Sequence, residues 1–342
     1  MYKKIREVSR MKRKLLAALL CAAMVATSAV GCSQGAGTAS TASAGGAASA
    51  AGTASAASTA AAGKTYKIIL ITMDSTDQHW VSVDKGAKKA VAEIGNIDYK
   101  WMAPDKKDDA QQIERINNAI ADGADAIMIA ANGPDAITAS LDDAKSKGIK
   151  IIYVDSPANT AAAATFATDN QAAGKTAGEQ MLKALDTAGK KSGKIGIVNI
   201  NSATASTVAR EKGFRAAFEG KGYELLPTQY GEGDAAKSQD IADNYITEGA
   251  VGIFGANEGA TVGVGNAIKG SGKKDLIGVG FDKSDAILSL IKDGSLLCAM
   301  AQNPDVMGYE GMKAAVQAIK GETIAKTSVD TGVSVLTKDS IK

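Results

Sequence analysis

The chain has 342 residues, of which 39 are basic and 37 acidic, so its formal net charge is +2. The first 31 residues hold seven of the basic and one of the acidic residues, which leaves the remainder with a net charge of −4. A mildly acidic body argues against binding to nucleic acid. A single histidine excludes a histidine-based metal cluster, and neither a metal ion nor another cofactor is expected.

The first predicted element is a secretory signal over residues 1–31. It has a basic start, an apolar run from Leu15 to Val25 and small residues before Cys32. The basic start fits Met11 better than Met1, and the true initiator stays open between the two. The signal ends in AVGC, which resembles the lipobox of bacterial lipoproteins with alanine where leucine is usual. This resemblance implies lipidation of Cys32, and the alternative is a plain signal peptide cut nearby.

Residues 32–63 are predicted to be a flexible tether that follows the lipidated cysteine. After Cys32 they consist almost only of Ala, Gly, Ser and Thr. Such a segment cannot bury enough apolar surface to offset the entropy lost on ordering. Because Cys21 lies in the signal and Cys32 at the lipid site, only Cys298 remains in the body, and no disulfide is expected there.

From residue 64 onward, short apolar runs alternate with amphipathic segments. KIIYVD, KIGIVNI and DLIGVGFD are typical of buried strands, whereas DAQQIERINNAIADG carries Ile113, Ile116 and Ile120 at helical spacing and ends with Gly123. This alternation predicts an α/β fold with doubly wound parallel sheets. A body of about 280 residues exceeds the usual size of one such domain, so two domains are expected, with the break near residues 165–181.

Ligands of open parallel sheets bind beyond the carboxyl ends of the strands. In this chain the residues there are carboxylates, amides and hydroxyls, with Trp80 as the one indole and Arg210 in a helix that follows. Such a set suits a polyhydroxylated ligand, because each sugar hydroxyl both donates and accepts a hydrogen bond. The alternative for Asp155, Asn257 and Asp282 is a structural role as helix N-caps.

Five motifs carry a resemblance to a known family: DQHWVSVDKGAKKAV, GIKIIYVDSP, STVAREKGFRAAF, GIFGANEGATVGVGNAIKGSGKKDLIGVGFD and GSLLCAMAQNPDVMGYEGMKAAVQAIKGE. In this order they resemble the ribose-type substrate-binding proteins of bacterial ABC importers, which have the type I periplasmic-binding-protein fold. The resemblance implies two doubly wound lobes joined by a three-crossover hinge. It also implies the following ligand-binding residues: Asp77, His79, Trp80, Asp155, Arg210, Asn257, Asp282 and Gln302.

The resemblance divides the body into two lobes. Residues 64–167 and 303–326 form the expected N-terminal lobe, and residues 168–302 and 327–342 the C-terminal lobe. The crossovers are expected near Ala167, near Asn303 and between Lys326 and Thr331.

Three departures from the ribose subgroup bear on the ligand. Ser156 stands where arginine is frequent, Ala130 where asparagine is frequent, and Gly233 lies near a position where an aromatic residue is common. These smaller side chains imply a ligand that differs from ribose or is larger. The stretch YGEGDAAKSQ is similar to the autoinducer and rhamnose branch of the family.

The predicted function is capture of a sugar or related polyol between the lobes and its delivery to an ABC permease. The protein is expected to be a monomer, lipid-anchored to the outer face of the cell membrane. The alternative is a sensory binding protein for a sugar-like signal, such as the furanose autoinducer, that docks on a receptor. An enzyme is not expected, because the sequence offers no nucleophile–base pair. For Trp80, stacking on the sugar is predicted, and a buried helix anchor is the alternative.

Overall fold

The computed structural model describes residues 64–341, which form two α/β lobes, each built on one sheet. The predicted signal, the tether and Cys32 lie outside the described residues. The first passage of the chain contains β1 (Tyr66–Ile71), α1 (Gln78–Ile94), β2 (Ile97–Met102), α2 (Asp109–Ala121), β3 (Ala126–Ile129), α3 (Pro134–Ser146), β4 (Lys150–Val154) and β5 (Ala164–Ala167).

The second passage builds the other lobe. It contains α4 (Asn170–Thr187), β6 (Gly193–Asn199), α5 (Ala205–Ala217), β7 (Tyr223–Leu225), β8 (Gln229–Tyr230), α6 (Ala235–Thr247), β9 (Ala250–Gly255), α7 (Glu258–Ser271), β10 (Ile277–Phe281), α8 (Asp285–Lys292) and β11 (Cys298–Gln302). The chain ends with α9 (Pro304–Lys320), β12 (Ser328–Asp330), β13 (Val333–Thr337) and a 3-10 turn at Lys338–Ser340.

The strand order confirms the predicted α/β fold. The first sheet has the order β12-β5-β4-β3-β1-β2, and all its pairs are parallel. The second has the order β13-β11-β10-β9-β6-β7, with β8 also beside β6, and only β13 is antiparallel to its neighbour. Because all strands except β13 run parallel to their neighbours, the carboxyl ends of these strands meet at one edge of each sheet, where ligands bind in open parallel sheets.

Helix α2 shows how local sequence sets an element. The carboxylate of Asp108 accepts a hydrogen bond from the backbone N–H of Gln111 at 3.0 Å and so caps the helix. Ile116 is fully buried against the first sheet, and the left-handed Gly123 follows the helix end. The helix predicted from this segment is therefore confirmed.

Close helix crossings fix the helices that carry predicted site residues. A Cβ on Gly86 in α1 would lie 1.9 Å from the carbonyl oxygen of Asp305 in α9. A Cβ on Gly213 in α5 would lie 1.9 Å from the carbonyl oxygen of Gln171 in α4. Only glycine allows backbones to approach this closely. Each lobe thus holds one site-bearing helix directly against a neighbouring backbone.

The chain passes between the sheets three times. The first passage lies between Ala167 and Asn170, and the second between β11 and α9. The third corrects the predicted boundary after residue 326. Strand β12 pairs in parallel with β5, so residues 328–330 belong to the first sheet and the chain crosses after Asp330. The N–H of Thr331 still bonds the carbonyl oxygen of Ala167, which ties the first and third crossings together.

One apolar run of the sequence does not form a continuous strand. YELLPTQY forms two short strands, β7 and β8, separated by residues 226–228. Pro227 has no N–H to donate to the neighbouring strand, which interrupts the ladder there. Within the described part of the chain, no helix combines the length and apolar character needed to cross a membrane.

Candidate functional site

The carboxyl ends of both sheets surround one small cavity of about 20 Å³. Residues from both lobes line it, so the lobes are in contact in this closed conformation. The cavity lining includes every predicted ligand-binding residue, namely Asp77, His79, Trp80, Asp155, Arg210, Asn257, Asp282 and Gln302.

The imidazole of His79 lies between one carboxylate from each lobe. Its Nε2 is 3.0 Å from Oδ2 of Asp155, and its Nδ1 is 3.5 Å from Oδ1 of Asp282. The N–H of Nε2 does not point at the Asp155 oxygen, so the contact is an ion pair rather than an aligned hydrogen bond. Burial lowers the pKa of His79, but the two carboxylates outweigh burial and raise it above its usual value.

Asp155 and Asp282 occupy equivalent places in the two lobes. Each directly follows a central strand and has a positive φ, 67° and 77° respectively. Each donates its backbone N–H to a carbonyl of the next strand, Phe166 or Met300. Aspartate tolerates this left-handed conformation better than most residues, and strained backbone of this kind is typical of functional sites. The turn aims both carboxylates at the cavity.

The guanidinium of Arg210 is almost completely fixed by the second lobe. Nε donates to Oδ1 of Asn170 at 2.8 Å, Nη1 donates to the carbonyl of Ala256 at 3.0 Å, and the group lies 4.4 Å from the centre of the Phe281 ring. Nη2 has no hydrogen-bond partner among residues 64–341 and lies 3.7 Å from Oδ2 of Asp155. Together with His79, this contact holds the pKa of Asp155 below its usual value although burial raises it.

Two amides complete the second lobe's share of the lining. Oδ1 of Asn257 caps α7 by accepting from the N–H of Ala260, while its Nδ2 is buried with no partner among the described residues. Gln302 donates from Nε2 to Oδ1 of Asp282 at 2.6 Å and accepts at Oε1 from the hydroxyl of Thr168. The N-cap alternative therefore holds for Asn257, but its amide NH₂ remains available to the cavity.

Trp80 and Asp77 line the cavity from the first turn of α1. The indole is 4 % exposed, packs in the core of the first lobe and donates from Nε1 to Oδ2 of Asp74 at 3.1 Å. This burial favours the alternative of a helix anchor, whereas its place in the lining is compatible with the predicted stacking. Burial and the nearby carboxylates of Asp74 and Asp282 raise the pKa of Asp77 despite the opposing charge of Lys107.

The comparison with known families matches this architecture. Residues 45–323 match the model of the periplasmic binding protein domain. The chain belongs to the periplasmic binding protein family. The matched segment covers both lobes as far as the end of α9, and the family is one of binding proteins rather than enzymes.

Individual relatives of this periplasmic binding protein are similar over most of its length. The ribose import binding protein RbsB of Haemophilus influenzae is 29 % identical over 273 residues, which is 78 % of this chain and 89 % of the relative. A solute-binding protein of Agrobacterium radiobacter in complex with D-arabinose is 30 % identical, with a TM-score of 0.76 over 80 % of this chain and 95 % of that one. One of Agrobacterium vitis with bound D-fucose is 28 % identical, with a TM-score of 0.76 over 80 % and 96 %.

Sequence reasoning missed two charged residues of this binding protein at the lobe interface. Lys107 lines the cavity from the loop between β2 and α2. Glu258, at the start of α7, accepts hydrogen bonds across the interface from the backbone N–H groups of Gln78 and His79, at 3.2 and 3.1 Å. Glu258 directly follows the predicted Asn257, and Lys107 lies in the loop after the carboxyl end of β2. Both residues therefore follow strand ends, where ligands of parallel sheets bind, and this position was the signal that could have identified them.

A larger groove of about 710 Å³ adjoins the cavity on the outside. Its walls come from α1, α8 and the start of α9, and it shares His79, Asp282 and Gln302 with the cavity. The cavity itself has room for about one water molecule, so a sugar ring requires the lobes to move apart. Among residues 64–341, no group of three or more His, Cys, Asp and Glu side chains is arranged to hold a metal ion.

Proposed function

We propose that this chain is an extracytoplasmic solute-binding protein that captures a neutral sugar or related polyol between its lobes and delivers it to an ABC importer. The observation that carries the proposal is the meeting of both lobes' polar groups around one cavity. Donor atoms of His79, Arg210 and Asn257 that make no hydrogen bond within residues 64–341 lie there beside the carboxylates of Asp155 and Asp282. A sugar hydroxyl can accept from such donors and donate to such carboxylates.

The charges of the lining support a neutral ligand. Three carboxylates face three cations when His79 is protonated, as its raised pKa favours. The charged lining residues are Asp77, Asp155, Asp282, His79, Lys107 and Arg210. A neutral ligand adds no charge to these buried ion pairs, whereas an ionic ligand would add a buried charge without a partner of its own, at high cost.

Closure follows from differential contact. A ligand that touches both lobes only when they are together stabilises the closed form, and the closed form would dock on the permease. Relatives whose names speak of import or of transporters support this role over the sensory alternative. In this proposal the two lobes move relative to each other on closure. At the third crossing, the boundary between them lies after Asp330.

A thermal-shift screen tests the proposed ligand class. D-ribose, D-arabinose, D-fucose, inositol, disaccharides, amino acids and nucleosides would each be added to the mature protein. We expect a stabilising shift with at least one sugar or polyol, and its loss in Asp282→Asn. The matched control is Asp285→Asn, an exposed aspartate three positions along. A shift with amino acids or nucleosides alone would refute the sugar assignment.

Lipid anchoring through Cys32 is a further part of the proposal. In Cys32→Ala the protein should appear in the medium or stay unprocessed in the membrane, as cell fractionation and immunoblotting would detect. A processed protein that is still membrane-bound in this variant contradicts the lipobox interpretation.

A further inference from the structure

Lys107 is buried although its neighbour is not. Its side chain is 5 % exposed, while that of Lys106 is 74 % exposed. A buried ammonium group is costly unless it is paired and hydrogen-bonded. The loop between β2 and α2 therefore turns one specific lysine into the cavity and leaves the adjacent one in solvent.

Two carboxylates of the same lobe hold the ammonium group. Nζ of Lys107 donates to Oδ2 of Asp74 at 2.5 Å and to Oδ2 of Asp77 at 2.8 Å. Burial lowers the pKa of Lys107, but the two carboxylates outweigh burial and raise it, so the group is charged. A lysine ammonium has three N–H donors. Two are used by these aspartates, which leaves one donor of a side chain that lines the cavity.

The alkyl chain of Lys107 lies against the opposite lobe. Gly233, between β8 and α6, has a φ of +74°, and a Cβ built on it would lie 2.6 Å from Cδ of Lys107. Any larger residue at position 233 would displace this side chain. Lys107 thus closes one end of the cavity when the lobes are together, and loses this contact when they separate.

We propose that Lys107 is a specificity-determining residue of the ligand site. Its third N–H donates to a hydroxyl or ring oxygen of the ligand, and its charge balances the cavity carboxylates so that cationic ligands are disfavoured. This inference rests on the proposed function, and it adds the recognition of neutral over amino-substituted sugars.

Isothermal titration calorimetry tests the inference on the mature protein. The neutral probes are D-ribose, D-arabinose, D-fucose, D-glucose and D-galactose, and the cationic probes are D-glucosamine and D-galactosamine. Lys107→Met keeps an unbranched chain against Gly233 but removes the charge and the donors. Lys106→Met is the matched control on the exposed neighbour. A thermal melt without ligand reports whether each variant is folded.

We expect Lys107→Met to weaken binding of the best neutral sugar about 10-fold or more, the usual range for a lost charged hydrogen bond. Discrimination against the amino sugars should fall by a similar factor, because Asp74 and Asp77 then lose their cationic partner and the site becomes more negative by one charge. Lys106→Met should change neither quantity. Parent-like affinity and discrimination in a folded Lys107→Met would overturn the inference and leave the proposed function intact.

A double variant separates the effect of the lost hydrogen-bond donor from the effect of the lost charge. It also tests the proposal if Lys107→Met alone does not fold. In Lys107→Met with Asp77→Asn, the charge balance is restored but the donor is still absent. We expect weak binding of neutral sugars with parent-like discrimination against amino sugars. Parent-like affinity in this variant would overturn the donor role. If the parent protein binds none of the neutral probes, the proposed function fails and the inference fails with it.

Discussion

Glu258→Gln should make ligand affinity nearly independent of pH over a range in which the parent protein loses affinity. The Glu258 carboxylate belongs to the second lobe and accepts from the N–H groups of Gln78 and His79 in the first. Burial, together with the carboxylates of Asp77 and Asp282, raises the pKa of Glu258 from 4.5 to about 7. Separation of the lobes removes burial and the Asp77 charge, so the pKa of Glu258 returns towards its usual value in the open form.

The direction of the effect follows from proton linkage. The closed form binds the Glu258 proton more tightly than the open form, so closure is favoured fully below pH 4.5 and is progressively lost as pH rises to about 7. Above about pH 7, Glu258 is ionised in both the open and the closed form, and the free energy of closure no longer changes with pH through this group. A shift of this size corresponds to about 3 kcal/mol, or on the order of 100-fold in the closed population. Glutamine carries no charge and, like the protonated acid, keeps one carbonyl oxygen that can accept from one of the two N–H groups, which bond to different oxygens in the parent protein.

The measurement is calorimetric affinity for the best sugar at about pH 5, 6, 7 and 8. Small-angle scattering of the ligand-free protein at the same pH values reports the fraction of closed molecules. Glu219→Gln, on an exposed glutamate, is the matched control. We expect the parent and the control to lose affinity between about pH 5 and 7, and Glu258→Gln to keep it.

The titration of His79 restricts the pH range in which the affinities of the parent protein and Glu258→Gln report on Glu258 alone. Its pKa is raised above 6.5 in the closed form by Asp155 and Asp282, so deprotonation of His79 also weakens closure, but only as pH rises beyond that value. Glu258→Gln should therefore retain a slope at the alkaline end. If the variant and the parent show the same slope between about pH 5 and 6.5, the role assigned to Glu258 is wrong.

Two further variants test how the structure holds the site. Gly86→Ala should lower the free energy of unfolding by about 1–3 kcal/mol, because its Cβ would clash with the Asp305 carbonyl, and chemical denaturation would measure it. Gly270→Ala, in an open helical position, is the control and should stabilise by about 0.5–1 kcal/mol; equal effects of both variants would contradict the close crossing. Trp80→Ala should cost about 3–5 kcal/mol in the same assay, since the indole is 4 % exposed. Weakened sugar binding with unchanged unfolding would instead assign Trp80 to stacking alone.

The site residues that sequence reasoning found share one property. Asp155 and Asp282 directly follow apolar runs that could only be buried strands, and parallel sheets bring strand ends together. The same reasoning does not distinguish buried Lys107 from exposed Lys106. They are adjacent in APDKKDDAQ and chemically identical, and Gly233, which accommodates one of them, lies far along the sequence. The difference in their burial is a tertiary effect, which a local pattern does not contain.

Three strands are difficult to recognise in the sequence for a similar reason, because tertiary contacts determine where they form. Strands β5, β12 and β13 lie at or near sheet edges, and most residues of β12 and β13 are half-buried or exposed. The sequences ATFA and SVD are too short for a pattern to indicate a strand, whereas VSVLT has the alternation of a half-buried strand. They form because the central strands offer unpaired backbone groups at each edge. This is also why the structure shifts the lobe boundary from residue 326 to Asp330, within the interval expected for the third crossing.

The first turn of α1 links the proposed ligand site to closure. The backbone of His79 is bonded to Glu258, its imidazole lies between Asp155 and Asp282, and its ring contacts Trp80 edge-on at 4.6 Å. The cavity beside it is about 20 Å³, and the imidazole occupies the space between the two carboxylates when the lobes are together. In the closed form the imidazole therefore contacts the two oxygens to which a sugar hydroxyl would donate, while Glu258 holds the helix end that carries it. Protonation of His79 strengthens its attraction to the two carboxylates, and protonation of Glu258 removes a buried negative charge, so a fall in pH favours closure through both residues.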